Sequence, residues 1–189
     1  MFWNLPTLLT WARIVAIPLI VGVFYLHWPQ AEINTLACGL FVLVALTDWA
    51  DGWLARRLNQ TSSFGAFLDP VADKFLVCAS LLILLQLGRV NAIVALIIIG
   101  REIAISALRE WMAQIGASKS VAVHMVGKLK TGAQMVAITL LLFDGELGTP
   151  MLHTRQLGTW LIYVACGLTV WSMVYYLRKS LPDIVAQAR

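Results

Sequence analysis

Four aspartates, Asp48, Asp51, Asp69 and Asp73, stand in sequence that is otherwise strongly apolar. An ionised Asp at the centre of a membrane helix costs about 2.5 to 3.5 kcal/mol on insertion scales, so each one requires a partner and marks a candidate site. At helical spacing Asp48, Asp51, Gly52, Ala55 and Arg56 share one face. That face combines carboxylates, two small residues that let a ligand approach the backbone, and a guanidinium fork suited to phosphate oxygens. Asp69 and Asp73, one turn apart, share a face of the next segment. Two helices can thus present four carboxylates to one site, where two divalent cations would neutralise their mutual repulsion. Oxygen ligands without His or thiolate favour Mg²⁺ or Mn²⁺ over zinc. The competing reading is structural, with Asp side chains paired to Arg13, Lys74 or Arg101. Pro70 leaves two local geometries open: Asp69 as the N-cap of a helix beginning there, or a kink in a helix begun near Ser63.

The elements that must position these residues are membrane helices. Of the 189 residues, 60% are hydrophobic and 13% charged, against about 25% charged in soluble domains, and the mean hydropathy is +0.80. The sequence predicts an all-α, polytopic membrane protein in one domain, with six transmembrane helices over about 7–26, 33–57, 66–87, 90–112, 121–143 and 156–178. Turn residues separate them at His27-Trp28-Pro29, 60–63 and 144–148. The N-terminal span is expected to be retained, because Arg13 interrupts its apolar run and no small-residue cleavage site follows. Cys38, Cys78 and Cys166 sit singly in apolar runs and read as free core thiols.

Charges fall at the start of the first, third and fifth segments and at the end of the second and fourth, and they follow the sixth. Consecutive spans run in opposite directions, so this alternation gathers every polar end on one side of the bilayer. Twelve of the 14 Lys and Arg residues fall on that side, with Arg89 and Arg155 opposite. By the positive-inside rule the polar side, and the active site with it, faces the cytoplasmic leaflet, and both termini are cytoplasmic. The formal charge of +4 is spread over membrane-adjacent ends, which suits anionic lipid and phosphorylated substrates and argues against nucleic acid.

The pattern Asp48-x2-Asp51-Gly52-x2-Ala55-Arg56-x8-Gly65-x3-Asp69-x3-Asp73 resembles the complete signature of the CDP-alcohol phosphatidyltransferases. The segments 4–13, 101–111 and 126–131 extend the resemblance over nearly the whole chain, towards bacterial members that use sn-glycerol 3-phosphate. The resemblance implies an enzyme of phospholipid biosynthesis in the bacterial inner membrane, a homodimer, that moves the phosphatidyl group of CDP-diacylglycerol to sn-glycerol 3-phosphate. The products would be phosphatidylglycerophosphate, a precursor of phosphatidylglycerol, and CMP. It further implies two metal ions, one held by Asp48, Asp51 and Asp69 and the other by Asp48, Asp69 and Asp73. Gly52, Arg56 and Ser62 would contact the CDP moiety in a pocket that also holds Ala55 and Gly65, and Thr10 and Arg13 are candidates to close it. The alternative for Gly65 is that it is only a small packing residue. Asp73 would take the acceptor's proton, although a metal-bound carboxylate is a weak base and a positional role is the alternative.

A phosphorylated acceptor needs cations, and the cytoplasmic ends of the fourth and fifth spans offer Arg101, Arg109, Lys128 and Lys130. The alternative is that Arg101 and Arg109 pair with Glu102 and Glu110 on their own helix. Other alcohols, such as inositol phosphate, serve relatives with the same signature. A cation- or proton-coupled transporter is the reading from a different class, since intramembrane Asp pairs also mark ion paths. Such a path requires polar groups in both halves of the membrane, which the one-sided charge distribution does not offer.

Overall fold

The computed structural model describes residues 5–58, 63–114, 125–145 and 153–187, with side chains at 10–47, 67–114, 129–145 and 153–181. The described residues form six helices: α1 (Leu5–Val23), α2 (Gln30–Leu58), α3 (Ser63–Gln86), α4 (Ala92–Gln114), α5 (Met125–Phe143) and α6 (Thr154–Gln187). Each predicted segment is recovered, and α6 runs nine residues past the expected end at 178. Pro70 lies inside α3, so Asp69 is a helical residue one turn before Asp73 and not an N-cap. Its ring leaves no N–H for the carbonyl one turn back, the cost of keeping the helix continuous from Ser63.

The helices pack as a closed ring in the order α1, α2, α5, α6, α4, α3, with α3 also touching α5 across it. All six feed one core, in which Ile17, Phe41, Leu81, Leu84, Ile98, Ile138, Leu141 and Ile162 are nearly or wholly buried. Around that core the outward surface is also apolar: Leu43, Leu46, Phe75, Leu96, Ile103 and Trp160 are exposed, Leu96 by 71%. Exposed apolar residues in such number mark a surface that contacts lipid or another protein. By length and apolarity, two stretches among the described residues suffice to cross a membrane, Gln30–Thr47 in α2 and Thr154–Leu181 in α6. Thr10–Val23 and Leu129–Phe143 are shorter apolar runs. In α3 and α4 the charged ends cut the apolar run short. In α4 only Ala92–Gly100 precedes Arg101, nine residues or about 13 Å of helix. The three cysteines are free thiols, Cys166 buried and Cys38 and Cys78 partly so.

One end of the ring is closed by Arg89. Gly88, at φ +66°, terminates α3, and the Arg89 N–H to Leu84 carbonyl bond (2.8 Å) together with Gly88 to Leu85 (3.0 Å) completes a Schellman turn. The turn sends the Arg89 side chain inward. Its Nη1 donates to the carbonyls of Leu141 (3.0 Å) and Leu142 (3.1 Å), and Nη2 to Asn34 Oδ1 (3.0 Å). Nε pairs with Asp144 Oδ2 at 3.1 Å. Those carbonyls belong to the last turn of α5, which has no helical donors of its own. Burial pulls the Arg89 guanidinium below its ordinary value, and the Asp144 carboxylate opposes that pull. Asn91 caps α4 through the Ile93 N–H, 2.8 Å.

Candidate active site

The other end of the ring is polar, and the side-chain contacts there identify which helix ends meet. The Thr10 hydroxyl of α1 donates to Asp69 Oδ1 of α3. One turn on, Arg13 Nη1 donates to Asp73 Oδ1 at 2.9 Å. Arg13 is almost wholly buried, whereas the Asp73 side chain is half exposed. Between α4 and α5, Lys130 Nζ donates to Glu102 Oε1, an ion pair in which the lysine side chain is buried. Arg101 Nη1 donates to the same oxygen at 3.2 Å, and its Nη2 to Ser172 Oγ of α6 at 3.1 Å. Further along α4, the Arg109 guanidinium lies 5.5 Å from the ring centroid of Tyr176 on α6, within cation–π range.

These groups surround a cavity of about 350 Å³ lined by Asp69, Asp73 and Lys74 from α3, Glu102 and Arg109 from α4, and Lys130, Thr131 and Gln134 from α5. That volume suits a small polar ligand or part of a larger one. The α3 side carries two carboxylates with Lys74, and the α4 and α5 side carries Arg109 and Lys130 around a third carboxylate. The Arg109 Nε and Gln134 Oε1 atoms are buried with no hydrogen-bond partner, polar groups that an occupant or a small rearrangement would satisfy.

Of the residues singled out from the sequence, Asp69, Asp73, Arg109 and Lys130 line this cavity. Thr10 and Arg13 stand behind its wall and bond the two aspartates. Arg101 does not reach the wall and instead braces Glu102 from behind. The helical-pair alternative is thus realised for Arg101 and Glu102, with Lys130 added from another helix, while Arg13 with Asp73 realises one of the structural ion pairs. Lys74 turns its Nζ to the Pro70 carbonyl, 3.1 Å. Asp48, Asp51, Gly52, Ala55 and Arg56 belong to α2 and Gly65 to α3, but their side-chain surroundings, like those of Lys128, lie outside the described residues, as does Ser62 altogether.

Among the described residues no group of three or more His, Cys, Asp or Glu side chains gathers to hold a metal. Two of the four signature aspartates fall outside that statement. Asp69 and Asp73 offer oxygen ligands one turn apart on a cavity wall, a donor pair that fits a hard divalent cation. Sequence reasoning passed over Gln134 and Tyr176, and took Glu102 only as an ion-pair partner. Glu102 was legible as a helical partner of Arg101, but its bond to Lys130 crosses 28 residues and has no periodic signal.

Carboxylates and cations lining one cavity at an end of a helical bundle are groups with which phosphate esters can be bound. The chain belongs to the CDP-alcohol phosphatidyltransferase family, whose profile matches residues 3–171. It is 46% identical, over 99% of its length and 100% of theirs, to proteins named CDP-diacylglycerol–glycerol-3-phosphate 3-phosphatidyltransferase from Salmonella typhimurium and Escherichia coli K12. The same name and identity hold for a relative from Shigella flexneri.

Proposed function

We propose that this protein transfers the phosphatidyl group from CDP-diacylglycerol to sn-glycerol 3-phosphate, yielding phosphatidylglycerophosphate and CMP. The observation that carries the reading is the end-to-end likeness to enzymes of that name, joined to a cavity whose two walls suit the two substrates. The acceptor's phosphate dianion belongs against Arg109 and Lys130, with Lys128 from the same turn of α5 as a further candidate. The diphosphate of the donor belongs on the aspartate side, near Arg56 on α2. Gly52, Ala55, Ser62 and Gly65 would complete the cytidine pocket.

The family works with a divalent metal. Asp69 and Asp73, with Asp48 and Asp51, would hold it, as two Mg²⁺ or Mn²⁺ ions. When bound, the metal supplies neutralising charge to the diphosphate and to the departing CMP. Thr10 and Arg13 fix the Asp69 and Asp73 carboxylates from behind, so that their rotamers are set before substrate arrives. Asp73, half exposed on the cavity wall, would orient the attacking hydroxyl and receive its proton.

A six-span arrangement in the bacterial inner membrane, with the cavity at the cytoplasmic leaflet and both termini inside, draws support from three features. The polar helix ends meet at one end of the ring, the exterior is apolar, and Lys and Arg concentrate at the polar end. The transporter reading loses ground because the buried core, from Leu76 through Leu81 and Leu84, and the Arg89 cluster occupy the bundle beyond the cavity.

The test is incorporation of labelled acceptor by the purified protein with CDP-diacylglycerol and Mg²⁺. Glycerol 3-phosphate should give a lipid product and CMP in equal amounts, chelation should stop the reaction, and Asp48→Asn or Asp73→Asn should abolish it. Product from inositol phosphate but none from glycerol 3-phosphate would overturn the acceptor assignment. Full activity of Asp48→Asn would overturn the metal ligands.

A further inference from the structure

Glu102 is out of keeping with the wall on which it stands. A carboxylate beside Arg109 and Lys130 weakens the field that would draw a phosphate, and a half-buried carboxylate is costly unless it is well bonded. Its bonding is uneven. Arg101 Nη1 and Lys130 Nζ both contact Oε1, and among the described residues no partner sits on Oε2. Glu102 lines the cavity with 19% of its side chain exposed. One oxygen therefore fastens the cations, and the other is left, on a side chain that lines the cavity, as a carboxylate acceptor, the strongest kind for a hydroxyl.

Resting on the transfer reaction proposed above, the acceptor brings three functional groups: a phosphate, a primary hydroxyl that attacks, and a secondary hydroxyl that does neither. Once water is displaced from the cavity, that spectator hydroxyl must donate to the protein or lose a hydrogen bond. Arg109 and Lys130 attract the phosphate, while Glu102 repels it and accepts only from O–H or N–H. The two influences act in the same sense: they set the phosphate on the cations and turn the hydroxylated carbons towards Oε2.

We propose that Glu102 is a specificity-determining residue, whose Oε2 accepts a hydrogen bond from the spectator hydroxyl of the acceptor while Oε1 fastens Lys130 and Arg101. The enzyme thereby selects an acceptor phosphate that carries a second free hydroxyl over one that carries only the attacking hydroxyl. Arg101 is on this view a positioning residue that acts through Glu102, held in turn by Ser172.

The experiment compares sn-glycerol 3-phosphate with 3-hydroxypropyl phosphate, which keeps the phosphate, chain length and primary hydroxyl and lacks the secondary one. The readout is the ratio of their kcat/KM values, measured on one preparation so that any misfolded fraction cancels. The wild-type ratio should be about 10 to 100, as for loss of a hydrogen bond to a charged group. Glu102→Ala should bring it to within about threefold of unity, and Glu102→Gln, with a neutral acceptor oxygen, should lie between. A Glu102→Ala protein that loses activity on both acceptors while keeping the wild-type ratio would overturn the proposal and leave Glu102 as a brace for Lys130. A wild-type ratio near one would overturn it too. If Glu102→Ala does not fold, the Glu102→Gln ratio decides: an unchanged ratio refutes. Failure of the underlying reaction looks different, because then neither acceptor yields lipid product with the wild-type protein while another alcohol does.

Discussion

Replacing Arg89 with Met removes a guanidinium and keeps the apolar length of the side chain, and should loosen the bundle without touching the catalytic end. The lost contacts are the bonds to the Leu141 and Leu142 carbonyls and to Asn34, at 3.0 to 3.1 Å, and the Asp144 ion pair at 3.1 Å. Removing one partner of a buried ion pair costs about 3 to 5 kcal/mol, chiefly through the groups left behind. Here Asp144 is 21% exposed and can recover water, whereas the two carbonyls lie in the interior, so the low end, about 3 kcal/mol, is appropriate. For a chain of this length that is a fall in thermal midpoint of about 6 to 12 °C. Asp144→Asn alone should cost about 1 kcal/mol, since the carbonyl bonds survive and Asn tolerates the positive φ of 43° found there. The assay is thermal unfolding in detergent, with steady-state kinetics on the same samples below the transition. Arg89→Met should keep the wild-type KM for both substrates. A midpoint within about 2 °C of wild type, or a changed KM with an unchanged midpoint, would refute the view that Arg89 staples the far end of the ring.

Two further predictions rest on contacts between helices. A Cβ on Gly158 would fall 2.8 Å from Leu141 Cγ and 3.2 Å from the Ala137 carbonyl oxygen, so Gly158→Ala should push α6 off α5 at about 1 to 3 kcal/mol. Gly167 on the same helix has nothing within 4 Å, and Gly167→Ala should be neutral or up to about 1 kcal/mol stabilising; the pair of thermal midpoints checks both. Tyr176→Leu removes the ring beneath Arg109 and should raise the KM for glycerol 3-phosphate about 3- to 10-fold with little change for CDP-diacylglycerol, while Tyr176→Phe keeps the ring and should raise it less.

The six helices were legible because burial of a core imposes helical periodicity and because charge in apolar sequence can only stand where a polar end tolerates it. The alternation of those ends foretold that Asp69, Asp73, Arg109 and Lys130 would share one end of the bundle. It could not foretell Pro70, since the sequence around a proline reads the same whether the preceding turn is helical or not, and the helix in fact runs through it from Ser63. The sequence suggested Arg101 as a ligand of the acceptor, yet Ser172, 71 residues away, and Glu102 draw it behind the wall. Arg89 read only as a stray cation on the far side, because the carbonyls it holds belong to helix ends that come near it only in the folded ring.

The order of helices around the ring divides the molecule into two triplets, α1 with α2 and α3, and α6 with α4 and α5, meeting along α2·α5 and α3·α4. The cavity straddles that seam, with its aspartates from the first triplet and its Glu102, Arg109 and Lys130 from the second. Neither triplet owns a finished pocket. During synthesis the early half is made with half a pocket and gains the other half only when the late half docks, so a gene cut in the loop near Arg89 should yield two fragments that are inert apart and regain turnover only on reunion in one bilayer.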